Sequence, residues 1–240
     1  MPRIMTVHNM LAANETIAGE IQRTLSTLQL HALNLMGSPG AGKTTLLERS
    51  IERLRGKLTL GVIAGDSATS VDAARIEAAG AQAVQINTQG SSHLEAYMVL
   101  EALEKLDLAH IDLLVIENVG NLICPAAWNL GEDQRVVVMN IADGDETPAK
   151  YPELFATAQG VVLNKLDLLP HVDYDLEKVR RLIGGIDARL RMFEVSCLTG
   201  TGLDRWCEWL VRFARGEMEA TSLPAARPFA QEGTGIPWTF

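Results

Sequence analysis

The sequence predicts an α/β fold of the doubly wound type, with a mostly parallel sheet and helices on both of its faces. Three observations predict it: seven short apolar runs, segments of helical period between them, and a glycine-rich turn that joins the first run to the helix after it. Several runs are nearly continuous in Val, Ile and Leu, which is typical of strands buried on both faces of a parallel sheet.

The predicted elements alternate along the chain. A first helix is expected over residues 15–29, with Asn14 as its N-cap. Its apolar face consists of Ile17, Ile21, Leu25 and Leu28. The strands are predicted at 32–36, 58–64, 81–86, 112–117, 135–142, 160–163 and 192–196. The other helices are predicted at 43–54, 71–79, 93–106, 173–186 and 202–215.

Composition and charge narrow the possible functions. The 240 residues are 47% hydrophobic and 21% charged, as in ordinary globular proteins, and suffice for a core without disulfides. The net charge of −9 argues against nucleic-acid and anionic-membrane binding. Three scattered cysteines, no long apolar run and an N-terminus without an apolar leader favour a cytoplasmic protein.

Residues 37–44 form a phosphate-binding motif. They read Gly37-Ser38-Pro39-Gly40-Ala41-Gly42-Lys43-Thr44, which is G-x-x-x-x-G-K-T between a predicted strand and a predicted helix. The glycines let successive backbone N–H groups surround phosphates, and the positive end of the helix points to the same place. We expect Lys43 to reach the β- and γ-phosphates, Thr44 to ligate Mg²⁺ and Thr45 to belong to the cradle.

The string Asn164-Lys165-Leu166-Asp167 follows the sixth predicted strand and indicates which base is bound. Asp167 can accept two hydrogen bonds from guanine, at N1–H and the exocyclic amine, whereas adenine has no such pair of donors. Asn164 can bond the purine edge, and the stem of Lys165 can cover the ring. A further base-contacting loop is expected at Ser196 and Cys197, with core packing as the alternative for Cys197.

Acids at strand ends are candidates for sensing the γ-phosphate. Asp66 follows the second strand and Glu117 ends the fourth, and ligands of open α/β sheets bind at the carboxyl ends of strands. We expect both near Mg²⁺, and Gly120 of the string E-x-x-G near the γ-phosphate. Asp66 or Asp72 is expected to position the attacking water, with helix capping as the alternative for Asp72. The polar segment 67–70 is expected to cross the phosphates.

These motifs divide the chain into three expected parts. Residues 1–30 supply an N-terminal helix that packs on the core, residues 31–216 form a P-loop GTPase domain, and residues 217–240 form a tail that contains prolines. Trp238 and Phe240 in the tail either pack on this domain, stay loose or dock on a partner.

With these motifs in place, the chain resembles the hydrogenase nickel-incorporation GTPases, the HypB family, from roughly residue 10 to residue 215. The matching strings lie at 35–48, 66–69, 72–76, 93–96, 117–125, 150–152 and 164–167. The most specific of them is Glu117-Asn118-Val119-Gly120-Asn121-Leu122-Ile123-Cys124-Pro125. The resemblance implies a protein that binds GTP and GDP, dimerises with GTP and works with partner proteins in [NiFe]-hydrogenase maturation. We expect slow GTP hydrolysis, because no arginine finger or water-positioning glutamine is evident.

The resemblance also implies a nickel or zinc site at the subunit interface, built from a Cys-His pair and the cysteine of N-L-x-C-P. His93 and Cys124 match two of these ligands, and Ser92 stands where the remaining cysteine is expected. One His and one Cys per chain give two ligands, so two chains related by a two-fold axis supply four. The alternative is that Ser92 and Glu95 form a capping box, with His93 in the first turn of the next helix.

Three functions follow from these expectations. The first is a GTP-driven switch that passes nickel to a hydrogenase. The second is a GTP-gated maturation scaffold or chaperone that handles no metal, which the serine at position 92 keeps open. The third, a P-loop kinase or ATPase, is disfavoured by the guanine-type string at 164–167.

Overall fold

Seven strands form one parallel sheet in the computed structural model, which describes residues 7–66 and 71–217. The strands are β1 (His31–Gly37), β2 (Leu60–Asp66), β3 (Gln82–Asn87), β4 (Leu113–Glu117), β5 (Gln134–Asn140), β6 (Gly160–Asn164) and β7 (Arg191–Glu194). Their order across the sheet is β3-β2-β4-β1-β5-β6-β7. The predicted doubly wound α/β fold is therefore confirmed.

Helices cover both faces of this sheet. They are α1 (Val7–Thr27), α2 (Lys43–Leu54), α3 (Val71–Ala79), α4 (Ala96–Leu103), α5 (Thr147–Lys150), α6 (Pro152–Ala156), α7 (Leu176–Ile186) and α8 (Leu203–Ala214). One face packs against α2, α3 and α8, and the other packs against α1 and α4 at one end and α6 and α7 at the other.

Strand β1 lies at the centre and is the place where the winding reverses. The chain passes from β1 to β2 and β3 on one side, returns through β4, and then continues through β5, β6 and β7 on the other side. Successive side chains of β1 alternate between the two cores, so Leu33 and Leu35 face α2 whereas Ala32 and Met36 face the opposite layer. Such a reversal leaves a crevice at the carboxyl ends of the central strands.

The observed starts of α1 and α4 differ from two local expectations. It begins at Val7, so Asn14 lies inside α1 and is not its N-cap. Asn14 instead accepts a hydrogen bond from the backbone N–H of Ala96 (2.7 Å), the first residue of α4. The capping box offered as the alternative for Ser92 and Glu95 is wrong, because α4 begins three residues after His93 and Glu95 caps it without a side-chain bond.

Other departures are small. The fifth strand ends at Asn140, since Ile141–Asp143 form a 3-10 turn closed by the Asn140 side chain. Leu28, predicted on the buried face of α1, is 47% exposed because the helix ends at Thr27. The segment 67–70 and the tail from residue 218, with Trp238 and Phe240, lie outside the described residues. In the described part of the chain, no helix has both the length and the apolar character to cross a lipid bilayer.

Candidate nucleotide-binding site

The loop between β1 and α2 has the backbone shape of a phosphate cradle. Gly40 and Gly42 adopt the left-handed conformation, with φ of 74° and 93°. A Cβ at Gly37 would lie 2.0 Å from the carbonyl oxygen of Val138, and one at Gly42 would lie 2.4 Å from Nδ2 of Asn164. Only glycine lets this loop curl so closely against β5 and β6.

Lys43 lies within the cradle at the start of α2. Its side chain is buried, and Nζ donates to the carbonyl oxygens of Gly37 (3.3 Å) and Ser38 (3.2 Å). Burial lowers the pKa of Lys43, and the nearby carboxylates of Glu117, Asp72, Asp143 and Asp66 act in the opposite direction. The ammonium group therefore sits among carbonyl oxygens that a phosphate oxygen can replace.

Thr44 and Glu117 form the floor of the site. Oγ1 of Thr44 donates to Oε1 of Glu117 over 2.7 Å, and Glu117 is only 4% exposed. Burial raises the pKa of Glu117 to about 7, although the Thr44 hydroxyl and Lys43 lower it. Its second oxygen, Oε2, is buried without a hydrogen-bond partner. A hydroxyl and a carboxylate are hard oxygen donors, so this pair fits Mg²⁺.

A cleft of about 460 Å³ opens above the cradle. Its walls include the predicted residues Lys43, Thr44, Thr45, Asp66, Asp72, Glu117, Gly120 and Lys165. Asp72 lies in the first turn of α3, and its Oδ1 is 3.5 Å from the Arg75 guanidinium. Asp66 ends β2 at the rim. The residues predicted for γ-phosphate sensing thus share one opening.

The E-x-x-G segment lies directly against the phosphate loop. The backbone N–H of Asn118 donates to Leu35 O (2.9 Å), and that of Asn121 donates to Gly37 O (2.9 Å). A Cβ at Gly120 would lie 2.9 Å from Cα of Pro39, so glycine is required for this approach. A shift of the segment 117–121 therefore changes contacts with the cradle.

Two residues of the site were missed by the sequence analysis. Arg75 lines the cleft, forms a two-bond ion pair with Glu48 (3.0 and 2.6 Å) and donates to Oγ1 of Thr45 (3.1 Å). Asp143 accepts from the Ser38 hydroxyl over 2.9–3.0 Å. The spacing of Arg75 one helical turn after Asp72 was the available signal; Asp143 had none beyond its place after a strand.

At the end of β6, Asn164 holds three segments together. Its Nδ2 donates to Ala41 O (3.0 Å), and its Oδ1 accepts from the backbone N–H groups of Lys165 (2.7 Å) and Cys197 (3.3 Å). Nζ of Lys165 donates to Gly40 O (2.8 Å). The amide of Asn164 therefore braces the cradle, a role that the sequence analysis did not assign.

Asp167 and Ser196 meet beside this brace. The Ser196 hydroxyl donates to Oδ1 of Asp167 (2.5 Å) and accepts from the backbone N–H of Thr199 (3.1 Å). Asp167 is half-buried. Cys197 packs in the main core, where burial raises the pKa of its thiol to about 11. Its side chain follows the packing alternative, while its N–H orders Asn164.

His93 and Cys124 lie on two segments outside the nucleotide cleft. The His93 ring stacks on Trp128 with centroids 4.5 Å apart, and both ring nitrogens are buried without a partner. Burial lowers the pKa of His93, which favours the neutral imidazole. Cys124 is half-buried and has a free thiol. No group of three or more His, Cys, Asp or Glu that could hold a metal occurs within residues 7–66 and 71–217.

Comparisons with known proteins identify the family of this chain. The family described as CobW/HypB/UreG, nucleotide-binding domain, matches residues 31–194. The hydrogenase maturation factor HypB of Azotobacter vinelandii is 43% identical over 223 residues, which are 93% of this chain and 73% of that protein. HypB of Escherichia coli K12 is 40% identical over 202 residues, or 84% of this chain and 70% of that protein.

Solved structures of HypB proteins superpose on this chain. HypB of Archaeoglobus fulgidus superposes with a TM-score of 0.79 at 38% identity, covering 86% of this chain and 99% of that one. HypB of Helicobacter pylori, solved in complex with nickel, gives 0.82 at 32% identity, covering 85% and 96%. The chain therefore belongs to the CobW/HypB/UreG family and, within it, to the HypB hydrogenase maturation factors.

Proposed function

We propose that this chain binds Mg²⁺ and GTP in the cleft at the carboxyl ends of β1, β4 and β6 and hydrolyses GTP to GDP and phosphate. The observation that carries the proposal is the meeting of the cradle at 37–44, the Thr44–Glu117 pair and the Asp167–Ser196 pair along one edge of the sheet. The first holds phosphates, the second fits Mg²⁺ and the third suits guanine.

The reaction moves the γ-phosphoryl group to water. The oxygen of water forms a bond to the γ-phosphorus, the bond to the β–γ bridging oxygen breaks, and GDP leaves with that electron pair. One proton of the water stays on the released phosphate and the other passes to solvent. Lys43 and the cradle N–H groups bind the phosphate oxygens, and Asp66 or Asp72 orients the water. Thr44 and Glu117 would hold Mg²⁺, with Asp66 beside them, and the bound ion would neutralise negative charge on the phosphates.

Guanine selection rests on Asp167. The Ser196 hydroxyl engages Oδ1 and so fixes the orientation of the carboxylate plane. A carboxylate in this position pairs with N1–H and the amino group of guanine but finds no such donors on adenine. The backbone at Ser196 and Cys197 supplies the neighbouring loop.

We further propose that the GTP cycle serves nickel delivery to a [NiFe]-hydrogenase with maturation partner proteins. The support is membership of the HypB factors, one of which was solved with nickel, and the position of His93 and Cys124 near the segment that follows Glu117. Because one chain offers two such ligands, a GTP-promoted homodimer completes the site for Ni²⁺ or Zn²⁺. The three free thiols suit the reducing cytoplasm.

Phosphate release under single-turnover conditions tests the GTPase. Wild-type protein with Mg²⁺ and GTP is expected to release phosphate slowly, and Lys43→Ala to reduce the rate roughly a hundredfold or more. The matched control is Lys105→Ala, which changes a lysine outside the cleft. A rate that is unaffected by Lys43→Ala would contradict the proposal.

The alternative is a GTP-gated scaffold that handles no metal itself. Two observations favour it: Ser92 offers a hydroxyl, a poor ligand for borderline metals, and no three-ligand group occurs in the described part of one chain. Ni²⁺ and Zn²⁺ affinities that stay unchanged in both His93→Ala and Cys124→Ala would decide for the scaffold.

A further inference from the structure

Five buried polar side chains connect the nucleotide cleft to the segments that carry His93 and Trp128. They are Asn14, Asn34, Asn118, Glu132 and Arg135, between 0% and 4% exposed, and are called the polar ring here. Buried polar groups are costly unless every one of them is bonded. Their bonds therefore constrain the parts of the chain that they join.

On the cleft side, the ring begins at Asn118, the residue after Glu117. Asn118 lines the cleft. Its Oδ1 accepts from the backbone N–H of Leu94 (3.2 Å), next to His93, and its Nδ2 donates to Oδ1 of Asn34 (3.3 Å). Asn118 thus borders the nucleotide cleft, and its side-chain amide bonds both the segment next to His93 and the rest of the ring.

The far side of the ring holds the Trp128 segment. Asn34 donates to Oε1 of Glu132 (3.1 Å), which also accepts from Nε of Arg135 (2.5 Å). The Arg135 guanidinium then donates to the carbonyl oxygens of Ala126 (3.0 Å) and Trp128 (3.1 Å). The guanidinium hydrogen bonds described for Arg135 thus go to Glu132 and to this one segment.

Asn14 completes the polar ring. Its Nδ2 donates to the carbonyl oxygen of Asn129 (2.7 Å), and its Oδ1 accepts from the N–H of Ala96 (2.7 Å). The segments at 93–96 and 126–129 are therefore each held twice, once from α1 and once from the Asn118 or Arg135 side. The stacked rings of His93 and Trp128 lie between these two segments.

The Arg135–Glu132 ion pair is deeply buried. Such a pair adds little to the free energy of unfolding, because well-packed apolar residues of similar volume often stabilise a protein equally well or better. Its directional bonds do, however, fix the orientation of the backbone carbonyls that they engage. Asn118 follows Glu117 directly in the backbone, so any displacement of Glu117 that moves Asn118 also changes the bonds to Leu94 and Asn34. The ring therefore joins the residue after Glu117 to the segments that carry His93 and Trp128 through successive hydrogen bonds.

We propose that the polar ring transmits the nucleotide state of the cleft to the His93–Trp128 stack, with Asn34, Glu132 and Arg135 as positioning residues. The inference rests on the proposed function only in requiring that GTP and GDP bind the cleft. It requires no transition metal, so it can be separated from the nickel proposal.

Tryptophan fluorescence tests the inference, with Mg²⁺ and either GDP or a non-hydrolysable GTP analogue and with chelator-treated, transition-metal-free protein. We expect the emission of wild-type protein to differ between the two nucleotides, and Trp128→Phe to abolish most of that difference. Asn34→Leu removes the central link without touching the cleft. It is expected to bind both nucleotides within about threefold of wild type, yet to lose at least half of the emission difference.

The matched control is Ser50→Ala, which removes a buried hydrogen bond to Trp206 on the other face of the sheet. This variant should keep the full emission difference. Two results would overturn the inference while leaving nucleotide binding intact. One is that Asn34→Leu keeps the full emission difference between the two nucleotides, and the other is that Trp128 contributes nothing to that difference in wild type. Failure of wild type to bind either nucleotide would overturn the proposed function as well.

Amide hydrogen exchange of the wild type keeps the test open if Asn34→Leu does not fold. The N–H groups of Leu94 and Ala96 are bonded by Asn118 and Asn14. We expect their exchange rates to differ by about tenfold between the two nucleotides. Equal rates at both amides would contradict transmission through the ring.

Discussion

Thr44 and Glu117 share a hydrogen bond of 2.7 Å that joins the first turn of α2 to the end of β4. Only one carboxylate oxygen is used; the other is buried without a partner. Leaving such a group unsatisfied costs folding free energy, which supports the proposal that a bound Mg²⁺ completes this pair. The consequences of this arrangement can be measured without any nucleotide.

The raised pKa of Glu117 predicts an unusual pH dependence of the free energy of unfolding in protein free of Mg²⁺ and nucleotide. Its pKa is about 7 in the folded state against 4.5 for an ordinary Glu, so the folded state holds the proton more tightly. The contribution to the free energy of unfolding is therefore largest below pH 4.5 and is lost as pH rises to 7, by ~3 kcal/mol. Other carboxylates act in the opposite direction, so the comparison must be with Glu117→Gln.

Urea denaturation of both proteins at pH 5 and pH 7.5 measures this effect. Glu117→Gln should gain stability relative to wild type as pH rises, because the glutamine carries no charge to bury. With saturating Mg²⁺ and GDP at pH 7.5, wild type should instead be the more stable of the two proteins, since only the carboxylate ligates the ion well. A stability difference between the two proteins that is independent of pH would contradict the burial argument.

Asp167→Asn should exchange guanine for xanthine specificity. The amide presents a donor where guanine also donates, so GTP affinity should fall by about a hundredfold, or ~3 kcal/mol. Xanthosine triphosphate carries a carbonyl at that position and should bind the variant more tightly than it binds wild type. Competition against a fluorescent GDP analogue measures both affinities. The exposed Asp173→Asn serves as control, and equal losses in the two variants would refute the assignment.

Gly120→Ala should weaken nucleotide binding without unfolding the protein. The added methyl group would lie 2.9 Å from Cα of Pro39 and would push the 117–121 segment away from the cradle. We expect at least a tenfold loss of GTP affinity, which is about 1.4 kcal/mol. Gly185→Ala in α7 meets no atom within 4 Å and should instead stabilise the helix by roughly 1 kcal/mol. Undiminished GTP affinity in Gly120→Ala would show that the segment does not adjust the cradle.

Ser92→Cys should strengthen Ni²⁺ binding if His93 and Cys124 are ligands. A thiolate is a far better ligand than a hydroxyl for nickel and zinc, and position 92 adjoins His93. Isothermal titration should show a gain of roughly tenfold or more for Ser92→Cys and a comparable loss for His93→Ala or Cys124→Ala. His110→Ala changes an exposed histidine that is bonded only to Asp107 and should have no effect. Identical titrations for all four variants would exclude this site.

Much of the fold could be predicted because its signals are local. The helices at 43–54 and 71–79 have the predicted bounds, and every strand begins and ends within two residues of its prediction. The cradle could be predicted for the same reason, since its glycines and Lys43 all lie within residues 37–43. Apolar period and turn chemistry suffice for such elements.

The polar ring could not be predicted, because its members are far apart in sequence. Asn34 contacts Asn118 and Glu132 at separations of 84 and 98 residues. Its only sequence signal was a lone amide within an apolar strand. The start of α4 was predicted too early for a related reason. The N–H of Leu94 donates to the Asn118 side chain, and the helix predicted from residue 93 begins only at Ala96. Long-range polar pairs override local propensity in this region.

The relative affinity of wild-type protein for GTP and ATP, each with Mg²⁺ at pH 7.5, measures whether the cleft selects guanine nucleotides. A cradle that grips the phosphates, together with a carboxylate that reads the base, predicts tighter binding of GTP by on the order of a thousandfold or more. Equal affinities would show that Asp167 does not select guanine, and no binding of GTP at millimolar concentration would show that residues 37–44 do not bind a triphosphate.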